Sequence, residues 1–444
     1  MKERFRQFWK SPHQLVLLVL LALIPLYLHG AYLQNHLVNT IPHQTDQGAY
    51  SESAQKLRET NYHYLVPRNR MPVYPLLQSL NYTPGMSEEA FFSAGKNFNT
   101  LLSLIILIIL YLVFKRFFPP LMTLNLMLIT SFTFFMFKAP FFQSELLFYL
   151  LSFLAFLLML KMLVKPTIYT GIVTGIILGI AHMTKASVIP ALLLLCFFLG
   201  VGILVDFVRH QPYKTILRQK TLPIFLLLLT FLASISVYIL NSKRVYGQYF
   251  YNVNSTFYPW YDSWDEAKAG TIAHGDRAGW PDLPEEEIPS PIKYFREHTL
   301  TQIWHRIQVG LLGILFNTLP SYGYFIYFVI YSLLFISLSS LNWRQCVEKF
   351  KHNYLLISFL IAYFVFHLLA VAWYTPIAAG NRFILAYFLP YMFVLFYIFR
   401  SAKRHFGSQA SQLLSIINVI VFITLIGHIY YIMTSRIGTF YGGL

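Results

Sequence analysis

Apolar stretches long enough to cross a lipid bilayer recur from one end of this chain to the other. They are predicted at 15–33, 98–114, 120–137, 146–164, 168–184, 186–208, 221–240, 322–341, 353–372, 383–399 and 411–433. A membrane-spanning helix needs about 20 apolar residues, and a chain that is 56% hydrophobic and only 12% charged is too apolar for a soluble protein. We therefore predict an all-α polytopic membrane protein, a single bundle of about 11 transmembrane helices covering 1–444 with no separate soluble domain.

Basic residues between the spans predict the orientation of the bundle. Six short segments, 1–14, 115–118, 161–166, 209–220, 344–351 and 400–405, hold 18 of the 34 Lys and Arg residues. Short basic loops stay in the cytoplasm, and all six lie there only if 302–319 is an interfacial or re-entrant helix. The N-terminus is then cytoplasmic, and the long loops 34–96 and 241–320 face outward. The net charge of +16 thus indicates contact with membrane lipids, and we predict no nucleic-acid partner.

The first outer loop combines a carboxylate with two cations. Asp46 precedes residues spaced as one face of a short amphipathic helix, namely Ala49, Tyr50, Ala54 and Leu57. A carboxylate at that helix's N-terminus is kept ionised by the helix field, so Asp46 could also be only an N-cap. Arg68 and Arg70 come just before a second predicted helix. Their positive charges are unfavourable beside the positive end of the helix dipole, and an anion bound between the two arginines would offset this repulsion.

The same loop resembles the first outer loop of the GT-C glycosyltransferases. The resemblance lies in Asp46, the aromatic Tyr50 four residues on, and the run Arg70-Met71-Pro72-Val73-Tyr74-Pro75 before an amphipathic helix. It is to the branch that uses polyprenyl-phosphate sugars, which includes protein O-mannosyltransferases and the aminoarabinose transferases of lipid A. It implies a GT-C-like bundle, a catalytic first loop, and Asp46 as the general base of an inverting transfer. Where the mannosyltransferases have two adjacent acids, this chain has Asp46-Gln47.

A second carboxylate, Glu145, stands at the entrance of an otherwise apolar helix. Taken alone, Glu145 is explained as an acidic side chain that the field at the helix N-terminus stabilises. The resemblance implies instead a second catalytic carboxylate close to Asp46. Two such groups could share a divalent metal ion, the one cofactor that this pattern suggests, or divide the roles of base and orienter.

Two further cations are candidates for binding a donor phosphate together with Arg68 and Arg70. Lys185 lies at a membrane boundary, where it either extends its amine toward water or meets a lipid phosphate. Arg382, followed by Phe383 and by Pro390 in the next span, resembles the C-terminal pattern of the same family. A guanidinium group matches phosphate oxygens with two parallel donors, although a membrane-edge anchor would also explain this arginine.

The large loop 241–320 interleaves aromatic and acidic side chains and is predicted to face the acceptor. The residues predicted to bind substrate are Trp260, Trp264 and Asp265 in this loop and Tyr50 and Tyr74 in the first loop. Aromatic rings beside carboxylates suit sugars, because rings pack against C–H faces and acids accept hydroxyl protons. An aromatic belt at the membrane interface gives the same composition.

We therefore expect a membrane glycosyltransferase that moves a sugar from a polyprenyl-phosphate donor to an acceptor lipid, glycan or protein outside the membrane. A ligase or polymerase of diphosphate-linked glycans is an alternative that would not need Asp46. A transporter or flippase of lipid-linked glycans is another, but the sequence shows no repeated halves. A non-catalytic membrane scaffold is a third. The expected location is a bacterial plasma (inner) membrane, because no extended N-terminal targeting region is evident.

Overall fold

The computed structural model describes residues 12–63, 68–276, 279–321 and 323–439, and within these ranges it contains helices and no strands. Ten helices are long and apolar enough to cross a membrane: Pro12–Leu37, Glu88–Phe117, Pro120–Lys138, Glu145–Val164, Ala186–Val208, Tyr213–Tyr246, Tyr324–Leu341, Tyr354–Tyr374, Asn381–Arg400 and Phe406–Arg436. An eleventh predicted segment forms the apolar but shorter helix Ile168–Thr184, of 17 residues. The prediction of an all-α polytopic membrane protein is confirmed. The basic N-terminal segment 1–11 lies outside the described residues.

Shorter helices form where the loops were predicted to be amphipathic. They are Gln47–Glu59 and Val73–Ser79 in the first loop, and Val253–Thr256, Trp264–Ala267, Pro291–Glu297 and Leu300–Gly313 in the large loop. Thr299 caps the Leu300–Gly313 helix, since its hydroxyl oxygen accepts a hydrogen bond from the backbone N–H of Gln302. That helix continues as a π-helical turn, Ile314–Thr318, and is not among the ten candidate spans. Its interfacial placement therefore stays a prediction.

The Pro120–Lys138 helix is the centre of the bundle. About 89% of its apolar segment is buried, against 56% or less in the other nine long helices. Its neighbours include the Pro12–Leu37, Glu88–Phe117 and Phe406–Arg436 helices. The loop that follows this central helix is thereby held in the interior, directly beside the first outer loop.

Three glycines at four-residue spacing let two helices approach closely. A Cβ atom on Gly171 would lie 2.2 Å from the Pro223 carbonyl oxygen, and one on Gly175 would lie 2.3 Å from the Leu227 carbonyl oxygen. Such distances are sterically forbidden for a Cβ atom, so only glycine fits here. The Ile168–Thr184 helix therefore packs directly on the backbone of the Tyr213–Tyr246 helix. Small residues at this spacing are typical of helix packing in membranes.

Gln47 fixes the first outer loop to the segment after the central helix. Its side-chain amide exchanges two hydrogen bonds with Asn39, of 2.7 and 2.8 Å, and its Oε1 also accepts from the Phe142 backbone N–H at 2.8 Å. The Asn39 amide donates in turn to the Pro140 carbonyl at 2.7 Å. Gln47 is fully buried, so the loop is tied to the bundle at the residue next to Asp46.

The large loop is held by a cluster around Asp262. The carboxylate accepts hydrogen bonds from Arg306 at 2.9 Å and Tyr294 at 2.7 Å, and it pairs with His298 at 2.7 Å. Arg306 also donates to the Trp373 carbonyl at 3.0 Å. This Asp262 cluster joins the loop, the Leu300–Gly313 helix and the end of a transmembrane span.

Candidate functional site

Asp46 occupies the N-cap position of the Gln47–Glu59 helix, but its side chain makes no capping hydrogen bond. Its Oδ1 instead accepts from Arg70 at 2.7 Å, and its Oδ2 accepts from Arg382 at 2.5 Å. Burial by itself raises the pKa of a carboxyl group, but here the two guanidinium groups outweigh it and hold the pKa of Asp46 well below its usual range. Asp46 is therefore a bridging carboxylate, ionised at any physiological pH.

The two arginines reach Asp46 from opposite ends of the sequence. Arg70 lies in the turn before the Val73–Ser79 helix, 5.0 Å from the centre of the Tyr50 ring. Arg382 is the second residue of the Asn381–Arg400 helix, where a cation opposes the helix field. Among the described residues, the buried Nε–H group of neither arginine has a hydrogen-bond partner. Both therefore retain a donor for an anionic ligand.

Glu145 and Lys185 form a second ion pair, with 3.2 Å between Oε1 and Nζ. Glu145 begins the Glu145–Val164 helix and is almost fully buried. Lys185 lies between two helices, with its amine 5.2 Å from the centre of the Phe383 ring, next to Arg382. The two ion pairs thus belong to one cluster at one end of the bundle.

Within this cluster, cations outnumber carboxylates. Asp46 and Glu145 face Arg70, Arg382 and Lys185, and both oxygens of Asp46 already accept from guanidinium groups. These residues do not fit a shared divalent metal ion, because a metal would have to displace the arginines from a region of net positive charge. Among the described residues, no group of three or more His, Cys, Asp or Glu side chains is placed to hold a metal. The surplus of donors suits a phosphate group instead.

The cluster borders a cavity of about 920 Å³. Its polar wall includes Asp46, Tyr50, Arg68, Arg70, Lys185 and Arg382. Its apolar wall includes Phe148, Ile189, Pro190 and Phe366 from three transmembrane helices. Glu145 is not part of the wall, so it meets the cavity only through Lys185. The cavity therefore joins a charged end to an apolar surface within the bundle.

Arg68 lines the cavity but is already paired. Its guanidinium group donates to Asp276 at 2.9 Å and to the Tyr258 hydroxyl at 3.3 Å, and Asp276 is fully buried. The Arg68 carbonyl accepts from the Val253 N–H at 3.1 Å. Arg68 thus joins the first loop to the large loop and is less available to phosphate than the sequence suggested.

The two predicted tyrosines of the first loop lie at different depths. The ring of Tyr50 lines the cavity, and its hydroxyl bonds to Ser144 at 2.8 Å. Tyr74 packs behind it with the ring centres 5.2 Å apart, and its hydroxyl donates to Asn99 at 3.2 Å. Tyr74 is completely buried and is not among the described residues that line the cavity, so it packs behind Tyr50, and its contact with substrate stays a prediction.

The predicted residues of the large loop separate in the same way. Trp264 lines the cavity. Trp260 packs against Trp373, with ring centres 6.0 Å apart, beside the Asp262 cluster. The Asp265 side chain is 90% exposed and pairs with Lys268 at the surface. Neither Trp260 nor Asp265 is among the described residues that line the cavity, and their contacts with substrate stay predictions.

Three residues important to this region were missed by the sequence reasoning. Gln47 carries no charge to attract notice, and Asp276 is one acid among many in the large loop. His182 lies in an apolar helix three residues before Lys185 and lines the cavity. The polar character of His182 inside a span was the one signal that could have identified it.

Comparison with known proteins adds no family to this description. No protein-family model matches the chain, and no significant match was found among curated proteins or solved structures. The described residues therefore establish an integral membrane protein of the all-α class with about ten candidate spans.

Proposed function

We propose that this protein is a GT-C-like glycosyltransferase that transfers a sugar from a polyprenyl-phosphate donor to an acceptor outside the membrane. The observation that carries the proposal is the bridge from Arg70 through Asp46 to Arg382 at the wall of the 920 Å³ cavity. A carboxylate held between two arginines supplies a proton acceptor and phosphate-binding donors at one point. Lys185 adds a third cation to the same wall.

The cations act on the leaving group. In the transfer, an acceptor hydroxyl or amine attacks the anomeric carbon, the bond from that carbon to the phosphate oxygen breaks, and the electron pair stays on the polyprenyl phosphate. Negative charge on the phosphate therefore grows in the transition state, where fixed guanidinium and ammonium donors stabilise it most. The Nε–H groups of Arg70 and Arg382, which have no hydrogen-bond partner in the described part of the chain, are donors for this contact.

Asp46 accepts the proton that the acceptor loses. With its pKa lowered by the two arginines, Asp46 is a weak base toward a free hydroxyl group. The attacking oxygen becomes acidic as its bond to carbon forms, so the proton moves late in the step. A phosphate that draws Arg70 and Arg382 toward itself would also release Asp46 and raise its basicity.

The apolar wall suits the rest of the donor. Phe148, Ile189 and Phe366 come from transmembrane helices, so a polyprenyl tail lying among them stays at membrane depth while its phosphate meets the cations. The positive-inside rule supports a position outside the cytoplasm for this end of the bundle. The family resemblance of the first loop supports the same assignment, including inversion at the anomeric carbon. The proposed location is a bacterial plasma membrane.

The test is sugar transfer by the purified full-length protein, supplied with lipid extract and a labelled polyprenyl-phosphate sugar. Asp46→Asn keeps the side-chain shape and removes the base, so transfer should fall by about 100-fold or more. Asp265→Asn is the matched control, because that exposed carboxylate lies outside the cavity. Size-exclusion profiles and thermal unfolding of both variants verify that they fold.

Three results would count against the proposal. If Asp46→Asn transfers as fast as the wild type, Asp46 is not the base, and Glu145 is the next carboxylate to replace. If wild type transfers only from diphosphate-linked glycans, and does so without Asp46, the protein is a glycan ligase or polymerase. Movement of a labelled lipid-linked glycan across vesicles without any transfer would identify a flippase.

A further inference from the structure

His182 is a buried polar side chain with an unused ring nitrogen. It is only 3% exposed, and its Nδ1 has no hydrogen-bond partner among the described residues. It nevertheless belongs to the wall of the cavity. A buried polar atom without a partner costs about 1–3 kcal/mol of folding free energy. Because the Nδ1 atom of His182 lies at a cavity wall, a ligand atom in the cavity could supply the hydrogen bond that it lacks.

The surroundings of His182 are aromatic. The centres of the Tyr238 and Phe250 rings lie 6.3 and 6.5 Å from the centre of the imidazole ring, and both residues line the cavity. Phe250 lies in a turn and has a left-handed backbone conformation with φ of 56°, which is unfavourable for a bulky side chain; residues strained in this way cluster at ligand sites as well as in turns. The His182 pocket, formed by these three residues, thus offers two ring surfaces and one polar nitrogen.

The His182 pocket lies beside the cations. Lys185 follows His182 by three residues, which is close to one helical turn. Met71, the residue after Arg70, packs with Tyr238 in one apolar cluster. A group attached to a phosphate on Arg70 and Lys185 therefore has the His182 pocket within reach.

The charge of the cavity wall restricts what such a group can be. Asp46 is the one carboxylate among the described residues of the wall, and both of its oxygens are held by arginines. An ammonium group on the ligand would meet this one carboxylate among several cations, and the net positive charge of the wall would repel it. The neighbouring polar residues of the wall, Asn252, Asn254 and Ser255, are uncharged. Hydroxyl groups fit this lining, and a positively charged sugar does not.

We propose that His182, Tyr238 and Phe250 form the subsite for the transferred sugar, and that this sugar is neutral, with hydroxyl groups and no amino group. This inference rests on the proposed function. The rings of Tyr238 and Phe250 contact the C–H faces of the sugar, and the imidazole ring exchanges a hydrogen bond with one hydroxyl. His182 is then a specificity residue that distinguishes a glycosylated carrier from the bare carrier.

The experiment measures binding by the full-length protein in lipid nanodiscs. Three ligands compete with a fluorescent polyprenyl phosphate: unlabelled polyprenyl phosphate, its hexosyl ester and its aminopentosyl ester. The wild type should bind the hexosyl ester about tenfold more tightly than the bare phosphate, as one buried hydrogen bond and ring contact would give. It should bind the aminopentosyl ester no better than the bare phosphate.

Variants at two histidines locate the effect. His182→Phe should reduce the preference for the hexosyl ester to less than about twofold while leaving the affinity for bare phosphate unchanged. His182→Gln keeps a hydrogen-bonding group and should retain part of the preference. His367→Phe is the matched control, because His367 also lines the cavity but its Nδ1 already donates to the Tyr363 carbonyl at 2.6 Å. Thermal unfolding verifies that each variant folds.

Each outcome decides between the two proposals. If the wild type prefers the hexosyl ester and loses the preference only at His182, the subsite is supported. An unchanged preference in His182→Phe, an equal loss in His367→Phe, or a wild-type preference for the aminopentosyl ester overturns the subsite and leaves the proposed function standing. If no polyprenyl phosphate binds the wild type, the proposed function fails and the subsite falls with it.

Discussion

At the scale of single residues, Asp46 and Gln47 begin the same helix and reach different surroundings. The Asp46 side chain lies at the cavity wall between two arginines. The Gln47 side chain turns into the protein, where it donates to Asn39 and accepts from the Phe142 N–H. The position that holds a second acid in the resembling mannosyltransferases is therefore a structural amide in this chain.

Replacing Gln47 by Glu should destabilise the protein without increasing sugar transfer. A carboxylate cannot donate to Asn39 Oδ1 or to the Gln44 carbonyl, both of which accept from Gln47 now. The cost of leaving such buried acceptors unpaired is about 1–3 kcal/mol. Thermal unfolding of purified protein measures it, with Gln55→Glu, a less buried position on the same helix, as the control. A gain in transfer, with stability unchanged, would show instead that position 47 reaches the substrate.

The sequence predicted the charged residues of the site better than its aromatic residues. Asp46, Arg70, Lys185 and Arg382 do line one cavity. A charged side chain near the membrane boundary must lie beside another charge, water or a polar cavity, because burial among apolar groups is costly. The sequence could not show that Tyr50 lines the cavity and Tyr74 does not, because each tyrosine lies on the apolar face of its own predicted helix. Which ring is exposed depends on packing against Asn99, 25 residues away, and a local pattern does not contain that contact.

At the scale of secondary-structure elements, a close helix contact made by the Ile168–Thr184 segment was predictable from sequence alone. Glycines at 171, 175 and 179 make a smooth face on this segment, and the structure places the backbone of the Tyr213–Tyr246 helix against it. The partner itself was not predictable, because every neighbouring span is apolar and none is marked by composition.

Gly175→Ala should therefore lower the thermal stability of the protein. Its Cβ would lie 2.1 Å from Thr230 Oγ1 and 2.3 Å from the Leu227 carbonyl oxygen, so the helices would have to separate. Gly200→Ala is the matched control in another span, because nothing lies within 4 Å of its Cβ position. Alanine is the better helix former by about 1 kcal/mol, so Gly200→Ala should be neutral or stabilising. Equal melting temperatures for the two variants would argue against a close helix contact.

The Asp262 cluster makes the stability of the large loop depend on pH. Burial alone lowers the pKa of His298, but its hydrogen bonds to Asp262 and to the Tyr294 carbonyl outweigh this and raise the pKa above 6.5. A pKa raised by folding stabilises the folded state below pH 6.5, and this contribution disappears as the pH rises through the folded-state pKa. Arg306 and Tyr294 also face the pair, and the pKa of Asp262 stays below 3.8 despite its partial burial, because hydrogen bonds from Tyr294 and His298 lower it.

His298→Gln should thus lower the melting temperature more at pH 5.5 than at pH 8.5. The measurement is the difference in melting temperature between wild type and variant at each pH, which cancels the titration of groups elsewhere. His305→Gln, an exposed histidine in the next helix, should give no such difference. A wild-type-to-variant gap that is the same at both pH values would mean that His298 does not gain a proton on folding.

At the scale of the whole molecule, charge and hydropathy predicted where the spans lie because both follow from solvation by the bilayer. They did not predict the full length of every helix: Glu88–Phe117 and Tyr213–Tyr246 extend well beyond the predicted 98–114 and 221–240. They predicted less about the Leu300–Gly313 helix, which is amphipathic and packs closely on the end of the Tyr354–Tyr374 helix. A Cβ atom on Gly310 would lie 2.0 Å from the Ala372 carbonyl oxygen. The positive-inside pattern requires that this helix does not cross the membrane, and the orientation of the second half of the bundle depends on it.

Cysteine labelling in intact cells tests that orientation. With Cys196 replaced by Ser, Cys346 is the single cysteine and lies in the basic Trp343–His352 helix. It should react with a membrane-impermeant maleimide only after permeabilisation. Glu286→Cys, in a chain lacking both native cysteines, should react in intact cells, because that residue is exposed and lies in the large loop that is predicted to face outward. One span, Tyr324–Leu341, then separates the two positions. Labelling of both from the same side would show that the Leu300–Gly313 helix crosses as well, and would place the basic loops at 344–351 and 400–405 outside, against the positive-inside rule.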